Sequence, residues 1–168
     1  MRQIDTIVIH CSDTPNGRWV TVDDIDVWHE QRGFRRNVTL MGRNQPRLKH
    51  IGYHFVIYAA GAVIIGRGLD EVGAHVKNHN LTSVGICMIG RDQFDLLQWA
   101  ALRKNVLSLL ETFPGARIVG HRDLSPDLNG NGVIEQVEHI KKCPCFDVSA
   151  WLAGNMQPLD GHIFNEVA

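Results

Sequence analysis

Three side chains far apart in the 168-residue sequence are of types that hold one metal ion together: His10, His121 and Cys143. His10 lies near the end of the apolar segment DTIVIHC, His121 closes the segment ARIVGH, and Cys143 follows later, directly before a proline. Strand ends are where side chains from distant sequence converge on one rim. Two imidazoles and a thiolate leave one tetrahedral position open, which is the pattern of a catalytic rather than a structural zinc. Composition alone does not select these three from nine histidines and four cysteines.

A second stretch, DLNGNGVIEQVE, offers oxygen instead of nitrogen and sulfur. Asp127, Asn129, Asn131, Gly132 and Glu138 satisfy the calcium-loop pattern D-x-[DN]-x-[DN]-G-x5-E. In such a loop the first three supply side-chain oxygens, the glycine permits the sharp turn, Val133 gives a backbone carbonyl and Glu138 binds through both oxygens. A chance match somewhere in the chain has a probability of about 3 × 10⁻⁴ from average residue usage. Only Asp127 and Glu138 are carboxylates among those side chains, and Asn-Gly loops are common turns in their own right. Calcium here would be structural, starting a short helix after Glu138 and fixing the chain that leads to Cys143.

The elements that must position these groups follow from periodicity. DTIVIHC reads as a buried β-branched strand. TVDDIDVWHEQRGF reads as a helix capped by Thr21 with Asp24 three residues on, apolar at Val22, Ile25 and Trp28, and ended by Gly33. YHFVIYAAGAVIIGRG reads as a hairpin turning near Ala60-Gly61, and SVGICMIG as a short buried strand. FDLLQWAALRKNVLSLLETF is a long amphipathic helix stopped by Pro114, and ARIVGH is the last strand. Strands mixed with two long helices predict an α/β fold: a single domain with a central mixed β-sheet flanked by helices, and the zinc site at one rim of the sheet. The domain is expected over residues 1–153, with the calcium-loop-like insertion at 127–138, and residues 154–168 as a loosely held C-terminal tail.

With 17 basic and 18 acidic residues the net charge is −1, so nothing in the balance draws the chain to nucleic acid or an anionic membrane. One local excess stands out: Phe34 to His50 carries Arg35, Arg36, Arg43, Arg47 and Lys49 with no acid, which reads as a solvated loop or as a grip on an anionic substrate. No apolar run approaches the ~20 residues of a membrane span, and the opening residues enter a strand pattern with no signal-peptide pattern visible. The expectation is synthesis in the cytoplasm without membrane insertion; the sequence assigns no oligomeric state. The cysteines at 11, 87, 143 and 145 do not form a disulfide framework for a domain of this size, and Cys11 and Cys87 read as small buried apolar residues.

The segments IVIHCSDTP, GYHFVI, GAHVKNHNLTSVGICMIG, GHRD and KKCPCFD resemble, in order and approximate spacing, the type-2 N-acetylmuramoyl-L-alanine amidases, the family of phage-type lysozymes and peptidoglycan recognition proteins. The resemblance covers about residues 4 to 152. It implies zinc ligands at His10, His121 and Cys143, and catalytic roles for Tyr53 and for Lys141. It places His75 at a position that lines the substrate cleft in relatives; His54 matches a family position too, with a core-facing strand residue as the equal alternative. Lys142 and Cys145 compete locally with Lys141 and Cys143, and the spacing KxCPxFD favours the latter pair. The insertion before KKCP is absent from the shorter phage-type relatives.

The reaction implied is hydrolysis of the amide between the lactyl group of N-acetylmuramic acid and L-alanine. Amides are poor electrophiles and water is a poor nucleophile; zinc addresses both, polarising the carbonyl and lowering the pKa of bound water toward ~7. The expected partner is peptidoglycan or a muropeptide, and the expected role a phage or prophage endolysin acting at the cell wall. The competing roles are a cytoplasmic muropeptide-recycling amidase and a non-catalytic binding module; modules of that kind typically lack the cysteine ligand.

Overall fold

Six residues, Thr6–Cys11, all but His10 apolar or small, form strand β1, and all six are buried. A strand covered on both faces must lie inside a sheet with layers above and below, and β1 does. The computed structural model, which describes residues 2–165, pairs β1 in parallel with β4 (Ser83–Met88) on one side and with β5 (Arg117–Gly120) on the other. Beyond β4 lies β2 (Phe55–Ile57), also parallel, and β3 (Val63–Ile65) closes the edge antiparallel to β2. The order is β3-β2-β4-β1-β5, a mixed five-stranded sheet. The β2–β3 turn is held by the Gly61 amide on the Tyr58 carbonyl, as the hairpin reading required.

Helices cover the two faces. Helix α1 (Val22–Gln31) starts at Thr21, whose hydroxyl accepts from the Asp24 amide while Asp24 returns a bond to the Thr21 amide. Its buried side chains are Val22, Ile25 and His29, so a histidine sits on the apolar stripe where Trp28 had been expected. A short helix α2 (Val38–Met41) interrupts the basic stretch. Helix α3 (Leu96–Thr112) is capped by Asp95 and buries Trp99, Leu102, Val106 and Leu109. Helix α4 (Val148–Ala153) is capped by Asp147 and buries Trp151.

Side chains alternate across a strand, and β1 divides accordingly. Ile7, Ile9 and Cys11 join the core with Val84, Ile86 and Met88 beneath α3 and α4. His10 therefore faces the other layer, where Cys87, Val56 and Ile51 pack with α1 residues. Cys11 and Cys87 are buried, at 5% and 0% exposure, as small apolar residues.

Two expectations are corrected. The stretch from Phe34 to His50 is not a row of free cations. The Arg36 side chain is fully buried, bound to Glu71 through Nε and Nη2 and to the carbonyls of Asn44, Gln45 and Leu48. Arg43 pairs with Asp70 and Arg47 with Asp23. The acids come from elsewhere in the chain, so Arg36, Arg43 and Arg47 are paired in three dimensions, the last two at the surface. The segment after residue 153 is not loose over its described part either. The Phe94 amide donates to the His162 carbonyl and the Phe164 amide to the Phe94 carbonyl. The Trp99 indole also donates to His162, and Met156 and Leu159 pack on the α3 core. Residues 166–168 of the expected tail lie outside the described residues.

Candidate active site

The parallel strands bring the two histidines together. His10 sits near the C-terminal end of β1, and His121 follows Gly120, whose register partner on β1 is Ile9. Their rings lie 4.7 Å apart, centroid to centroid. Cys143 arrives from a loop 133 residues beyond His10, placing Sγ 3.7 Å from His10 Nδ1. One ligand atom from each of His10, His121 and Cys143 falls within 4.8 Å of the others, and among the described residues no other histidine, cysteine or acid forms such a group.

Local contacts explain the motif residues around the three. Gly120 has no side chain because a Cβ there would meet the Pro144 ring at 2.7 Å. The Arg122 amide donates to the Cys143 carbonyl, and its guanidinium pairs with Asp147, which also caps α4. Asp123 accepts from the Gly120 amide. GHRD and CPCFD are thus one interlocked unit that fixes His121 against Cys143. Cys145 takes no part in the trio: its Sγ faces Cys11 Sγ at 3.9 Å, and that hydrogen bond, with burial, pushes its thiol well up.

His121 and Cys143 line a cleft of about 420 Å³ together with Tyr53, His75, His29, Arg32, Lys141 and Lys142, and His10 lies buried behind them. A larger groove of about 750 Å³ runs along α3 and is lined by no histidine or cysteine, so the chemistry belongs to the smaller one. Burial, and then His75 and His121 beside it, hold His10 well below the usual histidine range. His121 is lowered to about 4, by burial and then by Lys141. Both are therefore neutral at pH 7, the form that donates a lone pair to a metal. Burial raises Tyr53 well above the usual phenol range, which keeps its proton on.

The remaining expected residues divide. Lys141 and Lys142 both line the cleft, and it is Lys141 whose charge bears on His121. His75 lies at the cleft but turns its Nδ1 to His10 Nε2 at 3.1 Å. His54 is a correction: it is fully buried, accepting from the Gly85 amide through Nδ1 and donating to the Glu71 carbonyl through Nε2. Both ring nitrogens serve the backbone, and none is left for a substrate. Sequence reasoning missed His29. Its Nδ1 accepts from the Gly52 amide, which leaves Nε2–H as the donor of a ring packed on Tyr53. A polar residue four positions after Ile25, on the buried stripe of α1, was the available signal.

In the insertion, Asp127 accepts from the amides of Gly130 and Gly132. Asn129 accepts from the Asn131 amide and Asn131 from the Val133 amide. Glu138 is buried and accepts from the amides of Leu128, Asn129 and Glu135. The loop is closed by its own side chains. No helix follows Glu138, contrary to expectation: the regular turn is Gln136–Glu138, and residues 139–142 run irregularly into Cys143.

A mixed sheet with a half-open His₂Cys cluster at the C-terminal rim of its parallel strands is the arrangement of a metallohydrolase. Residues 1–145 match the family model described as N-acetylmuramoyl-L-alanine amidase. The endolysin of Klebsiella phage KP32 is 32% identical over 162 residues, 92% of this chain and 89% of that one. The fold is shared with LysC, an N-acetylmuramoyl-L-alanine amidase from Clostridium intestinale, at TM-score 0.66 and 22% identity over 92% of this chain and 87% of that one. It is shared also with Drosophila PGRP-LB, at 0.64 and 21% over 99% and 88%. The chain belongs to the N-acetylmuramoyl-L-alanine amidase family and is a peptidoglycan amidase.

Proposed function

We propose that the chain is a zinc-dependent endolysin that cuts the amide between N-acetylmuramic acid and L-alanine in the cell wall. The observation that carries this reading is the meeting of His10, His121 and Cys143, two of which, His121 and Cys143, open onto the cleft. Two neutral imidazoles and one sulfur are the donor set zinc takes in catalytic sites, and three ligands leave a corner toward the cleft. Zinc, when bound there, supplies Lewis acidity to the scissile carbonyl and lowers the pKa of water.

The chain's own residues do the rest. Lys141 lines the cleft with a charge that bears on His121, and it donates to the carbonyl oxygen as negative charge builds there. Tyr53, kept protonated by burial, packs 5.1 Å from the His10 ring and orients the attacking water or passes a proton to the leaving amine. Endolysin action, rather than recycling of soluble muropeptides, is supported by the KP32 relative, which carries that name and aligns over nearly its whole length. We assign the 127–138 loop to calcium. The support is the sequence pattern of Asp127, Asn129, Asn131, Gly132, Val133 and Glu138; the side-chain oxygens of Asp127, Asn129, Asn131 and Glu138 accept amides of their own loop.

The test is product analysis. Purified sacculi and anhydro-muropeptide are each incubated with the enzyme, with and without a chelator, and products are read by mass spectrometry. Free stem peptides beginning in L-alanine, released from sacculi and abolished by chelation, are expected. Cleavage of the soluble substrate alone overturns the endolysin role, and chelator-resistant cleavage overturns zinc.

A further inference from the structure

His75 does not face the cleft as a free group. Its Nδ1 lies 3.1 Å from His10 Nε2, and its Nε2 lies 3.4 Å from Ser83 Oγ. Ser83 Oγ in turn lies 2.7 Å from the His79 carbonyl. A carbonyl oxygen only accepts, so the serine hydroxyl donates to it and its lone pairs face His75. His75 then carries its proton on Nε2 and accepts at Nδ1. His10 must therefore donate from Nε2, which leaves its Nδ1 as a bare lone pair. That nitrogen is the one facing Cys143 Sγ.

The surroundings are built for this ring. A Cβ on Gly85 would meet the His75 ring at 2.7 Å, and one on Gly73 would meet it at 2.4 Å. Asn80 Oδ1 accepts from the amides of His75 and Val76, pinning the backbone that carries the ring. Ser83 and Gly85 lie on β4, which pairs with β1. The slot and the metal ligand therefore share one rigid sheet. Gly73, His75, Asn80, Ser83 and Gly85 thereby acquire a common purpose.

We propose that Ser83, His75 and His10 form a hydrogen-bond relay, anchored on the His79 carbonyl, that fixes the tautomer and ring plane of His10 for the metal. His75 is a positioning residue, acting through His10 rather than on substrate. This deepens the zinc reading above and rests on it. Outer partners of metal-bound histidines are worth about 10–100-fold in metal affinity or activity.

The experiment compares wild type with His75→Leu, which fills the slot without an acceptor, and His75→Asn, whose amide oxygen restores one. Ser83→Ala tests the anchor. Zinc affinity is read by competition with a chromogenic chelator, the ligand field by the absorption of the cobalt-loaded protein, and folding by melting of the metal-free protein. His75→Leu is expected to bind zinc about 10–100-fold more weakly with an altered cobalt spectrum, His75→Asn to recover part of the loss, and Ser83→Ala to show a smaller one. Wild-type affinity and spectrum in His75→Leu overturn the relay, as does a variant that changes only KM. A wild-type protein that takes up no zinc overturns the zinc reading itself, a distinct failure. If His75→Leu misfolds, Gly85→Ala, which displaces the ring by its added methyl, must give the same spectral change or the relay is wrong.

Discussion

The Sγ of Cys143 accepts the backbone amide of Cys11 at 3.2 Å. The residue that follows His10 thus secures the sulfur that partners His10 and fixes its direction. Cys143→Ser is expected to lose zinc and activity together. Cys145→Ser, altering a thiol turned toward Cys11, is expected to keep both. Metal analysis after desalting decides the point, and equal zinc content in the two variants would contradict the assignment.

Lys141 and Tyr53 line the cleft without joining the ligand trio. Lys141→Ala should lower kcat by about 10²–10³-fold, the usual loss for an oxyanion donor. Tyr53→Phe should lower it by roughly 10²-fold or more, as for a lost proton-transfer group. Both should retain zinc. A Lys142→Ala variant as impaired as Lys141→Ala would show that the wrong lysine has been chosen.

Stability should fall on mild acidification. His29 is lowered to about 4 and His54 to about 3, chiefly by burial. Their unfolded value is near 6.5. Above that value neither state is protonated and the groups add nothing. Below it the unfolded chain takes up protons that the folded chain refuses, so stability is lost as pH falls from about 6.5 toward the folded values. For His29 the loss by pH 4 is roughly 3 kcal/mol. Melting of the metal-free protein at pH 7, 5.5 and 4.5 checks this; a temperature unchanged across the series would refute it.

Calcium should raise the melting temperature of the wild type and not that of Asp127→Ala. Glu138→Ala must be read differently, since this side chain caps three amides of its own loop and its removal destabilises with or without the ion. The measurement is the calcium dependence of melting, not its absolute value. A wild type indifferent to millimolar calcium and to its chelation ends the calcium assignment.

Arg36 and Glu71 are buried and doubly bonded. Arg36→Met should destabilise the protein by about 3–5 kcal/mol, by leaving Glu71 with only the 3.7 Å contact to Arg67 and the carbonyls of Asn44, Gln45 and Leu48 without their donor. Pairing it with Glu71→Leu should recover much of the loss. Denaturant titration of the single and double variants tests the pair.

How far these features could be read from the chain depends on their range. Strand β1, the Thr21 and Asp95 starts of the helices and the Ala60-Gly61 turn are local, and periodicity found them or their neighbourhoods. The meeting of His10, His121 and Cys143 was legible only because residue type, element ends and family motifs coincided. Arg36 was misread because its partner, Glu71, lies 35 residues on. The docking of residues 156–164 was missed because it rests on backbone bonds to Phe94 and on scattered apolar contacts, which leave no period. His54 and His75 both matched family positions, His54 with a core-facing strand residue as the equal alternative. Only the tertiary partners separate a ring bonded to backbone amides and carbonyls from one bonded to a metal ligand.

The separation of His10 from Cys143 by 133 residues has a bearing on biogenesis. While the polypeptide is still growing, β1 offers a single imidazole and no cage. The ion can be captured only after the late loop has been made and has closed over the sheet. On the zinc reading, cells starved of the metal during synthesis should accumulate a finished, inactive chain that later supplementation activates without new translation.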